Sequence, residues 1–201
     1  MAVPSVVCIA TVTGQPAIFE EWAMPIKDAA VTGLRDQLAD KIKAPRTLAD
    51  IPSSLDGYAA IFIPGGHGAL LDLPSSAELG RLLRAAHKAA LPTISLCHGP
   101  GALLAAGVGE GGEGKPFIYD GYEIVVFPDS IDSITPYVGY LPGPMPIWIG
   151  AELTAHGLTV QNSNMDGSIH SDRELLTGDS PLAANNLGKA AAAMLLEQYA
   201  K

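Results

Sequence analysis

TISLCHGPGALL (residues 93–104) sets a short strand-forming run against a cysteine, a histidine and a glycine–proline turn, and then resumes as a helical pattern. Strand, sharp turn, helix is the layout of a nucleophile elbow. Here it reads S-x-C-x-G through Ser95, Cys97 and Gly99, in place of G-x-S-x-G. Such a turn lifts one side chain out of the sheet, and its small residues let the following helix pack closely. A thiol at a helix N-terminus faces backbone N–H groups and the positive end of the macrodipole, which favour thiolate. His98 has three readings at this point: general base, backbone donor to an oxyanion, or a helix-start histidine bonded to a loop. A residue adjacent to a nucleophile usually points elsewhere, so adjacency does not choose between them.

The pattern around this stretch repeats its logic. VVCIATV (6–12), YAAIFI (58–63), PTISL (92–96) and EIVVF (123–127) are strand-length apolar runs rich in valine and isoleucine. Between the second and third lies SSAELGRLLRAAHKAA, where Leu79, Leu82, Leu83 and Ala86 recur at helical spacing and Ser75 and Glu78 have the spacing of a capping box. Ser180, followed by Pro181, predicts the start of an Ala-rich helix running towards Tyr199. Strand alternating with helix predicts a single α/β sandwich of residues 1–201, with a mostly parallel sheet and helices on both faces.

Composition narrows the function classes. Hydrophobic residues are 48% and charged residues 16%, which is globular usage. A formal charge of -9 disfavours nucleic acid and anionic membranes as partners. No apolar run reaches the roughly 18 residues that span a bilayer, and the N-terminus lacks the cationic region of a secretory signal. Two cysteines, Cys8 and Cys97, make no disulfide framework, so a cytoplasmic location is expected. Cys8, inside an apolar strand, reads as a buried structural residue.

A second glycine loop, IPGGHGALLDLP (63–74), follows YAAIFI. Parallel strands deliver their C-terminal loops to one edge, so this loop and the elbow are expected to meet there. Gly65 and Gly66 would allow a backbone N–H to approach a substrate oxygen. GEGGEGK (109–115) matches part of a phosphate loop, but Pro116 stands where Ser or Thr is required and no strand precedes it. It reads as a flexible surface loop. The histidines at 67, 87, 98, 156 and 170 show no metal-ligand spacing, so no metal is expected.

FEEWAMPIKD (19–28), IFIPGGHGALLDLP (61–74), SLCHGPGALL (95–104), FPDSIDSITPYVGYLPG (127–143) and DRELLTGDSPLAANNLGKAAA (172–192) together resemble the PfpI-type, class I glutamine-amidotransferase-like superfamily. The likeness covers almost the whole chain and is strongest to the heat-inducible chaperone and glyoxalase III branch. It implies a flavodoxin-like sandwich and a cofactor-free enzyme that turns methylglyoxal into D-lactate through a thiohemiacetal on Cys97. It further implies His98 as triad histidine and Asp132 as triad acid, with Asp129 as a rival that spacing does not exclude. The oxyanion donors it implies are the backbone N–H groups of Gly66 and His98. Expected partners are a small dicarbonyl substrate, unfolded-protein clients and a second copy of the chain in a homodimer.

Two departures from the family qualify this picture. The family's first strand and helix precede anything visible here, and that segment carries the acidic residue that sits against the thiol. Its loss would leave a gap in the sheet, unless residues 6–12 take another place or a partner chain fills it. Glu20 and Glu21 are poor substitutes, since the match places them outside the site. The zinc ligands of some members fall in the same segment or on Leu38. A chaperone or catalytically silent homologue is therefore one alternative, and a cysteine hydrolase (peptidase, amidase or protein deglycase) another. LPGPMPIWIG (141–150), with Trp148, reads as a pocket wall or as a rigid packing loop.

Overall fold

The computed structural model describes residues 5–9, 11–18, 28–138, 141 and 143–199. Most of FEEWAMPIKD, including Glu20 and Glu21, lies outside the described residues. Five strands form the main sheet in the order β1 (Ser5–Cys8), β2 (Tyr58–Ile63), β3 (Thr93–Leu96), β7 (Leu175–Gly178), β6 (Ile169–Asp172). The first four are parallel and β6 returns antiparallel against β7.

Side-chain alternation in β2 explains the layers. Ile61 and Ile63 face one side, where they join Leu79, Leu82, Leu83, Leu103 and Ile149 in the larger core. Ala60, one residue out of phase, faces the other side with Ile94, Leu176 and Leu187. Helix α4 (Ala77–Lys88) covers the first face through Leu79, Leu82, Leu83 and Ala86, all with no solvent exposure. Burying each of those leucines contributes about 1.5–3 kcal/mol. Helix α7 (Ala184–Tyr199) covers the second face. Helices α1 (Ala29–Gln37) and α2 (Ala39–Lys43) bury no residue, and the short α3 (Ala69–Asp72) buries Leu70.

Several expectations shift in detail. The strand predicted over 6–12 is Ser5–Cys8, and it pairs directly with β2, Val7 opposite Ile61, so no gap separates these strands. Being an edge strand, it leaves Cys8 exposed rather than buried. EIVVF is not a strand of the main sheet. Only β4 (Glu123–Ile124) forms, and it pairs with β5 (Thr159–Val160). Beyond it the N–H groups of Val125 and Val126 donate to the side chains of Thr177 and Asn162, which removes them from any ladder. The cap of α4 is Ser76, not Ser75, its hydroxyl accepting from the Leu79 N–H at 3.1 Å. Glu78 pairs with Arg81 instead of closing a capping box. Ser180 donates to Asp179, and a 3₁₀ turn, Pro181–Ala183, precedes α7. The loop at 109–115 is held at its start by Arg84, which donates to the carbonyls of Ala106, Val108 and Glu110.

Candidate active site

Cys97 directly follows β3 with φ of +62°, a left-handed conformation that costs a non-glycine residue strain and is retained only where surroundings enforce it. The surroundings do so from both sides. The Cys97 N–H donates to the Gly178 carbonyl at 2.7 Å, and the Phe127 N–H donates to the Cys97 carbonyl at 3.0 Å. Glycine is required at two neighbours. A Cβ on Gly65 would lie 2.6 Å from the Cys97 Cβ, and one on Gly99 would lie 2.5 Å from the Ile63 carbonyl oxygen and 2.6 Å from Ser95 Oγ. After the elbow, residues Gly99–Gly107 run as a 3₁₀ helix rather than an α-helix.

His98 turns back on its neighbour. Its Nδ1 lies 3.3 Å from Cys97 Sγ and its Nε2 lies 2.9 Å from Asp132 Oδ2. The Phe127 ring stacks on the imidazole at 4.5 Å and fixes its plane. Asp132, on the short helix α5 (Asp129–Asp132), is 1% exposed. Burial pushes its carboxyl up, but hydrogen bonds from His67 and His98 outweigh that and hold it below the usual carboxylate range. An ionised carboxylate only accepts, so His98 carries its proton on Nε2 and offers the Nδ1 lone pair to the thiol. Burial also lowers the His98 pKa, which keeps the ring neutral and able to take a proton.

The sulfur environment is mixed. Burial pushes the Cys97 thiol up to about 12, against the opposing pull of the backbone N–H groups of His98 and Gly66, and the charges of Asp132 and Asp179 raise it further. The thiolate favoured by a helix start is therefore not the resting form. Desolvation wins, and the thiol needs a base.

The structure thus brings Cys97, His98, Asp132 and the Gly66 backbone together. It sends Asp129 elsewhere: its carboxylate accepts from the Gly150 and Ala151 N–H groups at 3.0 and 2.9 Å, at the start of helix α6 (Ile149–Ala155). A cavity of about 670 Å³ lined by Asp129, Gly150, Ala151 and Asn162 lies on that side and does not reach Cys97. Trp148 precedes α6 and is 41% exposed.

His67 joins the site without having been singled out. Its Nε2 lies 2.9 Å from Asp132 Oδ1 and its ring 4.0 Å from that of His98. Donor atoms of His67, His98 and Asp132 lie within 4.8 Å of one another, the spacing a small cation needs. Each imidazole Nε2 also lies 2.9 Å from a different oxygen of the carboxylate, the reach of a direct hydrogen bond. Linear spacing hid the trio, because its members come from three separate segments of the chain. The usable signal was topological, since His67 follows Gly66 at the end of the strand beside β3.

A strained cysteine at the end of a parallel strand places the chain among α/β proteins organised around such an elbow. The chain belongs to the DJ-1/PfpI family, whose profile matches residues 10–114. It is 47% identical over 198 residues to a protein/nucleic acid deglycase HchA of Pseudomonas aeruginosa, a match covering 96% of this chain and 67% of that relative. The chain therefore spans about two thirds of that relative's length. Among solved structures, the 24 kDa rapid encystment protein of Francisella tularensis superposes with a TM-score of 0.75 at 21% identity, covering 90% of this chain and 78% of that one. Glyoxalase III from Candida albicans superposes with a TM-score of 0.68 at 18% identity, covering 90% and 77%. These two likenesses speak for the fold.

Proposed function

We propose that this chain is a cofactor-independent, glyoxalase III-type lyase that converts methylglyoxal to D-lactate through a thiohemiacetal on Cys97. The observation that carries it is the line Cys97 Sγ, His98 Nδ1, His98 Nε2, Asp132 Oδ2, at 3.3 and 2.9 Å. His98 removes the thiol proton as sulfur adds to the aldehyde carbon, and Asp132 stabilises the imidazolium that forms. The backbone N–H groups of Gly66 and His98, which point at the sulfur, are placed to hold the new oxyanion. Returning its proton to that oxygen leaves His98 neutral again. It then carries the C1 hydrogen as a proton to C2, giving a lactate thioester. Water hydrolyses the thioester, so the net change is the addition of one water and no electrons leave the carbon skeleton.

The deglycase name of the 47%-identical relative favours a second reading, in which the same thiol attacks a sugar-derived carbonyl adduct on an amine. With a net charge of -9, adducts on proteins or small amines suit this chain better than those on polymeric nucleic acid. D-lactate release from methylglyoxal by freshly reduced protein, compared with Cys97→Ala and with chelator present, tests the first reading. Activity lost in the variant and indifferent to chelation supports it. A wild type that makes no D-lactate but removes adducts from glycated amines supports the second. A wild type inert in both assays leaves the chaperone alternative, for which Ile134, Tyr137 and Val138 supply exposed apolar surface beside the site.

A further inference from the structure

We propose that His67 is a positioning residue: by donating from Nε2 to Asp132 Oδ1 it holds the triad carboxylate, the base His98 and the Gly66 backbone donor as one rigid unit. This rests on the roles given above to Cys97, His98 and Asp132. A buried ionised carboxylate is tolerable only when its lone pairs are filled. Asp132 is 1% exposed, and its side-chain donors among the described residues are two imidazoles, His67 on Oδ1 and His98 on Oδ2, each at 2.9 Å. With one donor on each oxygen, the carboxylate plane is set by both rings. Removing His67 leaves it fixed from one side only, and the orientation of His98 loosens with it.

Chain connectivity supplies the second half of the device. His67 directly follows Gly66, whose φ is +107° and whose N–H points at Cys97 Sγ. The loop is tied forward by the Ala69 N–H on the Gly66 carbonyl and the Leu70 N–H on the His67 carbonyl, at 3.1 and 3.0 Å. Inward, it is tied by the His67 ring against His98 at 4.0 Å and near Phe127 at 6.3 Å. One carboxylate thus fixes both loops that supply oxyanion donors, from the ends of two neighbouring strands. His67 is 15% exposed against 2% for His98, so it stands nearer solvent than the base it helps to orient.

The test compares wild type with His67→Leu, which keeps volume but donates nothing, and His67→Gln, whose Nε2 has similar reach. The first readout is the rate of Cys97 alkylation by iodoacetamide at fixed pH, with folding checked by circular dichroism. The second is methylglyoxal turnover. We expect the Leu variant to alkylate about tenfold more slowly, the effect of one lost hydrogen bond to a charged group, and Gln to restore most of the rate. In turnover the loss should fall on kcat and leave KM unchanged. A Leu variant that alkylates like wild type, or a Gln variant no better than Leu, overturns the proposal. Should the Leu variant not fold, nitrogen-15 chemical shifts of the wild-type imidazoles decide. A proton on Nε2 of both His67 and His98 supports the shared carboxylate, and a proton on Nδ1 of His67 overturns it. Slowed alkylation in the Leu variant and its rescue by Gln, without any D-lactate from wild type, sink the lyase and leave the positioning role standing.

Discussion

At the scale of single residues, Cys97 is held by its neighbours in a conformation it would not choose and in surroundings that keep it protonated. With the thiol pushed up to about 12 by burial, its reactivity near neutral pH depends on His98 Nδ1 at 3.3 Å. An ordinary cysteine, with a pKa of about 8.5, reaches its full alkylation rate near pH 9.5. Cys97 should instead react slowly at pH 8 and go on gaining rate up to pH 10. A plateau below pH 9, followed by iodoacetamide labelling and mass spectrometry, would show that the thiol is not suppressed. His98→Ala should lower the rate at pH 7.5 further, since desolvation remains and the base is gone. Gly65 makes a separate demand. An alanine there meets the Cys97 Cβ at 2.6 Å and the Leu96 carbonyl at 2.7 Å, and neither can swing aside. Gly65→Ala is expected to cost about 1–3 kcal/mol in thermal or urea unfolding and to displace the elbow, so that alkylation changes as well.

At the scale of elements, the two acids of FPDSID separate by what they hold. Asp132 faces the imidazoles. Asp129, one helical turn earlier, accepts from the first N–H groups of α6, whose own N-cap residue Trp148 provides no side-chain bond. Asp129→Ala should therefore lower unfolding stability by about 1 kcal/mol, as loss of a cap does, while leaving Cys97 alkylation intact. If the proposed lyase chemistry holds, Asp132→Asn should keep most of the fold and cut turnover by roughly a hundredfold to ten-thousandfold, as expected when a base loses its orienting anion. Sequence spacing could not separate these two, since both sit on one short turn and the difference lies in what approaches from residues 67, 98 and 150. The elements dominated by local pattern were legible: β2, β3 and the apolar stripe of α4 are where periodicity places them. EIVVF was not, because its β-propensity is real but the groups that meet Val125 and Val126 are side chains, Thr177 and Asn162, which no period reveals. His67 was missed for a related reason, its partners being 31 and 65 residues further along the chain.

At the scale of the whole molecule, the site's electrostatics make folding stability depend on pH, and the sign follows from two groups. His98 has a folded pKa below its unfolded value of about 6.5, so on acidification the unfolded chain takes up that proton first. Stability is unaffected by it above that value and falls as pH drops below it. Asp132 also has a lowered folded pKa, so its contribution is present above the unfolded value of about 3.9 and is lost as pH falls through the folded one. Both push the same way, and in sequence. The unfolding midpoint should decline from pH 7 to pH 5 through His98 and fall again below pH 4 through Asp132. His98→Asn, uncharged at every pH, should flatten the first decline and, by removing one of the two imidazoles that hold the Asp132 carboxyl low, also soften the second, while Asp132→Asn should weaken the second. Thermal unfolding of the three proteins between pH 3 and 8 measures this directly. If the His98→Asn curve kept the full slope between pH 7 and 5, the buried imidazole would not be the group that titrates there. The neutral base on which the chemistry of Cys97 depends would then have to be sought elsewhere.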